Sequence, residues 1–545
     1  MAMRAPLCYI LPMRIGTLRR PPAAAYAVAI AGLVVAVVGL RFVGFDTWWH
    51  LASGWVITQL ETIPRHDLFS YTAFGRPWLN HQWLYQAAMW LAYENFGVFG
   101  LSTLKLVLIT AACTLTFRTI TSLGSSRELA LCCLALFLWG ASNRVMDRPV
   151  MIIMPMLALY ALILHGYVMG KTRAIWALPF LQVLWVNCHG GATIGVLLVL
   201  AFALGESLQA VAGRMAGAPR PVGRVQRHRL WLVALACLAA CLLNPWGAEL
   251  ITYYGQLRSM TMSLAYTTEW YPPLHPEAMT SILPYIYLAC VAAALASHVV
   301  NARGTRITHL LITAFAALLL TQGRRFGPEA MILCLPVIAY NLSERFPRLR
   351  VPSPEASWAI LTAVFALSTA SLAFGVPTTF RRAPDANITA SPSALSAPAR
   401  MVDFLEYHGI RGRVLNDLGI GGYLIFRRWP RELVYFDGRT PVYGEDFFRE
   451  NTAAFQRAEN FERLKDRWEF DYIVLSGMGA WGSREFHRYL WENPDWHLVY
   501  GMEDGYVYLR DVPKFKGLIE KLALDRHPVI EHMKEKGELP EDYSR

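Results

Sequence analysis

Side chains that could do chemistry collect in short polar motifs at the ends of long apolar runs. The first motif, GFDTWWHLASGW (44–55), places Asp46 and His50 beside three tryptophans. Carboxylates and imidazoles move protons, and guanidinium groups bind anions. Similar motifs contribute Asp67 (IPRHDLFSYT), His81 (NHQWL), Arg144 and Arg148 (NRVMDRP), His189 (NCHGG), Glu269 (TEWYPP), and Arg324 and Arg325 (QGRRFGPE). Any one of them could simply cap or anchor a helix end. As a set they indicate a site, because ionisable groups at membrane depth are costly unless they pair or face a cavity.

The elements that must position these motifs are membrane-spanning helices. The chain has 545 residues, of which 54% are hydrophobic and 17% charged. A spanning helix needs about 20 apolar residues, and runs near this length recur from residue 25 to residue 377, a pattern that excludes an ordinary soluble enzyme. We predict a polytopic α-helical membrane protein with about 11 transmembrane helices. The predicted spans are 25–43, 100–117, 128–142, 150–168, 174–188, 192–210, 230–246, 281–299, 307–322, 328–342 and 357–376.

The distribution of basic residues predicts which side the motifs face. Loops on the same side as the N-terminus carry more arginine than the opposite loops, so the positive-inside rule places the N-terminus in the cytoplasm. An odd number of spans then puts the polar motifs and the C-terminus outside, which we expect to be the periplasmic face of a bacterial inner membrane. The net charge of +11 comes from residues scattered between the spans, so nucleic acid is not expected as a partner. The first span resembles an uncleaved signal anchor.

Asp46 precedes a segment that is predicted to form a helix at the membrane surface. Apolar residues recur at helical spacing through residues 47–60. This helix could lie flat on the bilayer, with Trp48, Trp49 and Trp55 as an aromatic belt. Asp46 would then be its N-cap. Capping and catalysis are compatible, but a carboxylate that accepts several backbone N–H bonds has a lowered pKa and is a weaker base.

The arrangement resembles the GT-C superfamily of membrane glycosyltransferases, which use polyprenyl-phosphate-linked sugars. Four blocks are similar to those of an uncharacterised bacterial branch: DTWWHLASGWVITQLETIPRHDLFSYTAFGRPWLNHQWL (46–84), VLWVNCHGG (183–191), GGYLIFRRWP (421–430) and VYFDGRTPVYGE (434–445). The resemblance implies transfer of a sugar from a polyprenyl-phosphate donor to a hydroxyl of a glycan, lipid or protein acceptor. By its position, Asp46 would be the general base.

The resemblance also implies roles for the other polar residues. The substrate and its phosphate would be bound by His50, Asp67, His81, Arg144, Arg148, His189, Glu269, Arg324 and Arg325. Many members of the superfamily carry a second acid close behind the first, whereas here Thr47 follows Asp46 and the next acids are Glu61 and Asp67. No metal ligand is therefore predicted. A divalent metal stays open without support from this spacing, and no cofactor is certain.

After residue 400 the sequence becomes charged, with short apolar runs that predict a mixed α/β layer fold. The predicted strands are RVLND, GYLIF, ELVYFDG, DYIVLSG, WHLVYGM and GYVYLRD. Asp437-Gly438-Arg439 could contact an acceptor glycan or could serve only as a turn. The predicted organisation is a cytoplasmic tail (1–24), a GT-C-like membrane domain (25–377) with a first periplasmic loop (44–99), a linker (378–400), a periplasmic α/β domain (401–512) and a charged tail (513–545).

Two other classes of protein share many of these features. A transporter or flippase of lipid-linked glycans would also be polytopic, with ionisable residues facing a cavity. Transporters commonly show internal repeats and broken helices at the midplane, whereas here no repeat is evident and the ionisable groups gather at one face. A non-catalytic subunit of envelope polysaccharide assembly would share the fold without the chemistry.

Overall fold

Helices build most of the chain in the computed structural model, which describes residues 19–38, 44–212, 219–259, 268–374, 398–455, 458–476, 484–502 and 504–524. Before residue 375 the helices are α1 (Ala23–Val38), α2 (Thr47–Gln59), α3 (Trp83–Ser122), α4 (Arg127–Ala141), α5 (Ile153–Val168), α6 (Leu178–Cys188), α7 (Ala192–Ala212), α8 (Arg224–Ala240), α9 (Glu249–Ser259), α10 (Leu283–Val300), α11 (Ile307–Thr321), α12 (Gly327–Arg345) and α13 (Pro354–Phe374). After residue 398 they are α14 (Ala399–Tyr407), α15 (Leu418–Arg428), α16 (Thr440–Tyr443), α17 (Glu445–Ala454), α18 (Ala458–Trp468), α19 (Arg484–Glu492) and α20 (Lys516–Leu522).

Each predicted span coincides with one of these helices. Within the described residues, five helical segments are long and apolar enough to cross a bilayer: Trp83–Ser122, Pro149–Val168, Ala192–Ala212, Leu283–Val300 and Arg324–Arg345. Shorter apolar helices are Ala23–Val38, Ala174–Cys188 and Ile307–Thr321. A mostly helical, polytopic membrane fold is therefore supported, and the number of about 11 crossings stays a prediction.

Helix α3 begins well before the span predicted at residue 100. Its helical geometry breaks at Gly97, where φ is 59°, a left-handed conformation that glycine adopts without a steric penalty. The predicted loop at 44–99 thus contains α2 and the first part of α3. Residues 1–18, 39–43, 378–397 and 525–545 lie outside the described residues, so the boundaries of the N-terminal tail, linker and charged tail stay predictions.

The bundle is centred on α12. Nearly every residue of this helix is buried, and it packs against α3, α4, α5, α10 and α11. The helix follows directly on a 3₁₀ turn at Arg324–Phe326. The most buried helix of the bundle therefore starts at the paired arginines of the motif QGRRFGPE.

The C-terminal region, which we define as residues 398–524, contains a four-stranded mixed sheet. The strands are β1 (Val414–Asn416), β2 (Tyr472–Ser476), β3 (Trp496–Met502) and β4 (Gly505–Arg510), in the order β1-β2-β4-β3. β1 and β2 are parallel, and the other two pairings are antiparallel. The helices of the region complete the mixed α/β arrangement that the sequence predicted.

Two of the predicted strands are wrong. GYLIF lies inside helix α15, because the side chain of Asp417 caps that helix by accepting a hydrogen bond from the backbone N–H of Ile420 at 3.1 Å. ELVYFDG forms no strand of the sheet. It contributes only an isolated bridge between Val434 and Ser70, so this segment pairs with the N-terminal half of the chain.

Helix α15 packs on α2, and this contact overturns the prediction of an aromatic belt. The ring of Trp48 lies 4.9 Å from the Tyr423 ring and 5.0 Å from the Phe426 ring, and Trp55 lies 5.7 Å from Trp429. Trp48 is only 3% exposed. The tryptophans of the first motif therefore bury against the C-terminal region rather than facing lipid.

Candidate active site

Asp46 lies immediately before α2 but does not cap it, so the capping prediction is wrong. Its φ of −73° and ψ of −19° are helical, and its side chain makes no capping hydrogen bond. An N-cap residue ordinarily has extended geometry that turns its side chain back to the helix N–H groups. Instead, Oδ2 of Asp46 lies 2.5 Å from Nη1 of Arg148, and Oδ1 accepts a hydrogen bond from Nε1 of Trp49 at 3.3 Å. The carboxylate is 29% exposed.

The loop NRVMDRP delivers Arg148 to Asp46 because its neighbour Asp147 is anchored. Nζ of Lys105 lies 2.8 Å from Oδ2 of Asp147, and both side chains are buried. Oγ1 of Thr47 donates a hydrogen bond to the backbone carbonyl of Asp147 at 2.7 Å. Asp147 therefore pairs with Lys105 rather than with Arg148. Burial acts to lower the pKa of Arg148, but the charges of Asp46 and Glu269 hold it above its usual value.

Glu269 connects two further arginines. Its Oε2 accepts a hydrogen bond from Nη1 of Arg144 at 3.0 Å, and its Oε1 lies 3.3 Å from Nη1 of Arg325. The guanidinium of Arg325 also stacks 4.0 Å above the ring of Trp270. Burial acts to raise the pKa of Glu269, but the charges of Arg325, Arg144 and Arg148 hold it at about 2. Glu269 is therefore ionised throughout the physiological range.

The histidines of the predicted site all have lowered pKa values, with His50 buried and His81 and His189 half-buried. Nδ1 of His50 lies 3.1 Å from Nε2 of Gln86, and Nδ1 of His189 accepts a hydrogen bond from the backbone N–H of Gly191 at 2.9 Å. The rings of His81 and His189 are 6.3 Å apart. Burial lowers the pKa of His81 to about 4. Burial, and then nearby positive charge, lowers the pKa of His50 and of His189 well below the usual value.

The arginine cluster, which we define as Arg144, Arg148 and Arg325, keeps hydrogen-bond donors that its partners do not use. The three guanidinium groups pair with the carboxylates of Asp46 and Glu269, and the buried carboxyl of Glu329 also interacts with Arg144 and Arg325. In the part of the chain that the structure describes, the Nε of each of these arginines is buried without a hydrogen-bond partner. Buried donors are nearly always hydrogen-bonded. The cluster therefore suits an anion with several acceptor oxygens, such as a phosphate.

Most of the residues predicted for the site come together. The shared group comprises Asp46, His50, His81, Arg144, Arg148, His189, Glu269 and Arg325. Asp67 lies apart from it, whereas Arg324 lies at its edge, close enough for its charge to help lower the pKa of Glu269. Asp67 is fully buried, with its Oδ1 2.5 Å from Nη1 of Arg439. Arg324 is bound to the loop before α10, where its backbone N–H donates to Tyr271 O at 2.8 Å and its Nη1 donates to Ala278 O at 3.4 Å.

Sequence reasoning missed the residues that hold this group in place. Lys105 had a usable signal, because a lone lysine inside an apolar span is costly unless it is paired. The pairing of Arg439 with Asp67 had none, since the two residues are hundreds of positions apart in sequence. As for a metal, no group of three or more His, Cys, Asp or Glu residues that could hold one occurs among the described residues.

Comparisons with known proteins identify the fold of the chain but not its family. No family model matches the chain, and no curated protein matches it. The crystal structure of the Archaeoglobus fulgidus oligosaccharyltransferase tethered with an acceptor peptide is similar, with 11% identity, a TM-score of 0.51, and coverage of 90% of this chain and 74% of that chain. That enzyme is a GT-C membrane glycosyltransferase. This chain has a GT-C fold.

Two further solved structures show weaker likeness to this chain. The archaeal oligosaccharyltransferase AglB from Archaeoglobus fulgidus, in complex with an inhibitory peptide and a dolichol-phosphate, has 12% identity, coverage of 90% and 74%, and a TM-score of 0.48. Arabinofuranosyltransferase AftD from Mycobacteria has 14% identity, coverage of 89% of this chain and 41% of that chain, and a TM-score of 0.48. The resemblance to the superfamily is confirmed for the fold alone, by the first of these three structures, and the bacterial branch stays a prediction.

Proposed function

We propose that this GT-C chain is a glycosyltransferase that moves a sugar from a polyprenyl-phosphate-linked donor to a hydroxyl of a glycan, lipid or protein acceptor. The observation that carries the proposal is the pairing of Asp46 with Arg148, at 2.5 Å, beside Arg144 and Arg325. A carboxylate that can accept a proton thus lies beside guanidinium groups whose buried Nε donors have no partner and can bind a phosphate. The oligosaccharyltransferase with the same fold supports the general kind of reaction.

The proposed reaction assigns one role to each half of this pair. The acceptor oxygen attacks the anomeric carbon of the sugar and gives its proton to the carboxylate of Asp46. The bond between the anomeric carbon and the phosphate oxygen breaks, and the phosphate leaves with the electron pair. A positioned general base contributes about 100- to 10,000-fold to the rate. Arg144, Arg148 and Arg325 stabilise the charge that develops on the leaving phosphate.

The neutral histidines fit a supporting role in this reaction. Because burial lowers the pKa of His81 to about 4, its ring adds hydrogen-bonding capacity without adding charge. His50 and His189 are shifted in the same direction. Substrate charge is therefore balanced by the arginines, and binding of the donor phosphate does not depend on histidine protonation near neutral pH.

The proposal also specifies the sidedness of the protein, that is, which side of the membrane the site faces. We infer that the N-terminus is cytoplasmic and that Asp46, the arginine cluster and the C-terminal region face the periplasm of a bacterial inner membrane, on the basis of the loop charges. A reporter enzyme fused after the C-terminal region tests this arrangement. Alkaline phosphatase, which is active only in the periplasm, should be active there, and an active cytoplasmic reporter in its place would contradict the sidedness.

The direct test of the chemistry is Asp46→Asn, which keeps the shape of the side chain and removes the base. Asp446→Asn is the matched control, because the side chain of Asp446 is 95% exposed and pairs with Arg449 outside the arginine cluster. Glycan and glycolipid products are compared in membranes that contain equal amounts of each protein. Loss of product in Asp46→Asn alone is expected. Unchanged product would remove Asp46 as the base and would favour the transporter or the non-catalytic subunit.

A further inference from the structure

Two glycines of the C-terminal region pack directly on the segment that carries Asp46. A β carbon at Gly438 would collide with Oδ1 of Asp46 and would lie 3.0 Å from Nε1 of Trp49. A β carbon at Gly422 would lie 3.0 Å from the carbonyl oxygen of Phe45. Neither glycine has the positive φ that disfavours other residues. Space, rather than backbone conformation, therefore disfavours a side chain at both positions: at Gly438 the Asp46 carboxylate would have to move, and at Gly422 the carbonyl of Phe45 would have to give way.

The turn that carries Gly438 is fixed by buried charge. Nε and Nη2 of Arg439 lie 2.8 Å and 2.7 Å from the two carboxylate oxygens of Asp437, and the hydroxyl of Tyr443 donates to Asp437 at 2.6 Å. Nη1 of Arg439 lies 2.5 Å from Oδ1 of Asp67. These side chains of Asp67, Asp437 and Arg439 are essentially inaccessible to solvent. The turn is thus tied to the same N-terminal segment that follows Asp46.

Aromatic rings add to this restraint. The Arg439 guanidinium lies 4.8 Å from the centre of the Phe69 ring and 4.7 Å from that of Trp78. A guanidinium held by two carboxylates and two rings has little freedom to move. Gly438, which lies between Asp437 and Arg439, therefore cannot retreat from the carboxylate of Asp46.

We propose that Gly438 is a positioning residue for Asp46, a role that rests on the proposed function. The backbone of Gly438 closes one side of the Asp46 carboxylate, so Oδ2 stays against Arg148 and Oδ1 stays beside Trp49. The C-terminal region is then one wall of the active site, and an acceptor hydroxyl must reach Asp46 from a side that Gly438 leaves open. A side chain at position 438 would meet Asp46 and Trp49 first.

The experiment measures the position of Asp46 separately from activity. Purified Gly438→Ala is treated with a water-soluble carbodiimide and an amine, and the labelling of each carboxylate is followed by mass spectrometry. Gly517→Ala is the matched control, because a β carbon at Gly517 meets nothing within 4 Å. Arg148→Gln, which removes the partner of Asp46, is the positive control for faster labelling. Asp67, which is fully buried, reports on folding because it should stay unlabelled in every variant.

We expect Gly438→Ala to label faster at Asp46 while Asp67 stays unlabelled and Gly517→Ala behaves as the wild type. The amount of product should fall by about 100-fold, since a displacement near 1 Å can have this effect. In an Asp46→Asn background, Gly438→Ala should cause no further loss. Gly422→Ala serves as a second variant if Gly438→Ala does not fold, because it pushes on Phe45 rather than on the carboxylate.

Different results overturn different claims. Unchanged labelling of Asp46 in a folded Gly438→Ala protein would overturn the positioning role, whatever happens to the product. Unchanged labelling in a folded Gly422→Ala protein would overturn the claim that packing of the C-terminal region on the Asp46 segment sets the position of the base. A further loss of product in the Asp46→Asn background would also overturn it, because Gly438 would then act on something other than the base. Faster labelling of Asp46 with product unchanged in both Gly438→Ala and Asp46→Asn would support the positioning contact and reject the proposed function.

Discussion

Replacing Arg439 with methionine should loosen the joint between the C-terminal region and the N-terminal half of the chain. Methionine fills a similar volume but leaves the carboxylates of Asp67 and Asp437, both fully buried, without their guanidinium. Removing one partner of a buried ion pair costs about 3–5 kcal/mol, because the remaining charge stays uncompensated. The cost should fall on the joint, where the backbones of Tyr71 and Val434 are hydrogen-bonded at 3.0 Å.

Hydrogen exchange of the purified protein measures this loss at individual amides. The N–H of Tyr71 donates to Val434, and the N–H of Val434 donates to Phe69, so both amides report on the joint. At about 1.4 kcal/mol for each factor of ten, their protection should fall by about 100- to 4,000-fold. Asp67→Asn and Asp437→Asn, added to Arg439→Met, should restore much of the protection, because a neutral buried cluster no longer contains unpaired charge.

An exposed ion pair supplies the control for Arg439→Met. Arg449 pairs with Asp446, and their side chains are 61% and 95% exposed, so Arg449→Met should cost about 0–1 kcal/mol. If Arg439→Met changes the protection of Tyr71 and Val434 no more than Arg449→Met does, the buried charges do not hold the joint together. The same would follow if the neutral triple variant were less protected than Arg439→Met alone.

Three other predictions follow from the site. Arg144→Gln and Arg325→Gln should each weaken binding of a polyprenyl phosphate by about 10- to 100-fold, as expected for a lost hydrogen bond to a charged group. Arg449→Gln, whose side chain is 61% exposed and pairs with Asp446, should bind as the wild type, and equal loss in all three variants would contradict a specific cluster. Lys105→Met should lower the melting temperature, because it leaves the buried Asp147 carboxylate without its partner, and adding Asp147→Asn should recover part of the lost melting temperature. A Lys105→Met protein that melts at the wild-type temperature would show that this pair does not stabilise the loop. The pKa of His81 in the folded protein is about 4, against an ordinary value of 6.5, so its contribution to stability is present above pH 6.5 and is lost as the pH falls to 4. His81→Gln should therefore make the free energy of unfolding less dependent on pH between 4 and 6.5. An unchanged pH dependence would exclude His81 as its cause.

The helices were predictable because their signal is local. An apolar run of about 20 residues has one low-energy conformation in a bilayer, and each predicted span coincides with a helix. GYLIF failed because an apolar run of five residues does not distinguish a strand from a buried helix. The decisive contact there is the hydrogen bond that Asp417 accepts from the N–H of Ile420, which sets the start of α15.

Which residues lie in the site was more predictable than which of them form ion pairs with each other. Ionisable residues at the ends of apolar runs carry a general energetic signal, and most of those chosen lie in one group. Their partners are long-range, however: Asp46 pairs with Arg148, and Arg144 pairs with Glu269. Asp67 lies in the same kind of polar motif as Asp46, yet its carboxylate pairs with Arg439, which is distant in sequence and is brought near only by the fold.

The tryptophans of the first motif show why a local pattern does not determine what the side chains pack against. Tryptophans that follow an apolar run fit the membrane interface, but they fit equally a surface that another part of the same chain covers. Here Trp48 binds α15, and Trp49 donates a hydrogen bond to Asp46. The motif therefore joins the C-terminal region to the proposed base, so the membrane bundle and the α/β region meet at the carboxylate of Asp46. A joint at this position makes the geometry of the base depend on both parts of the chain, since Arg148 approaches it from the bundle and Gly438 from the α/β region.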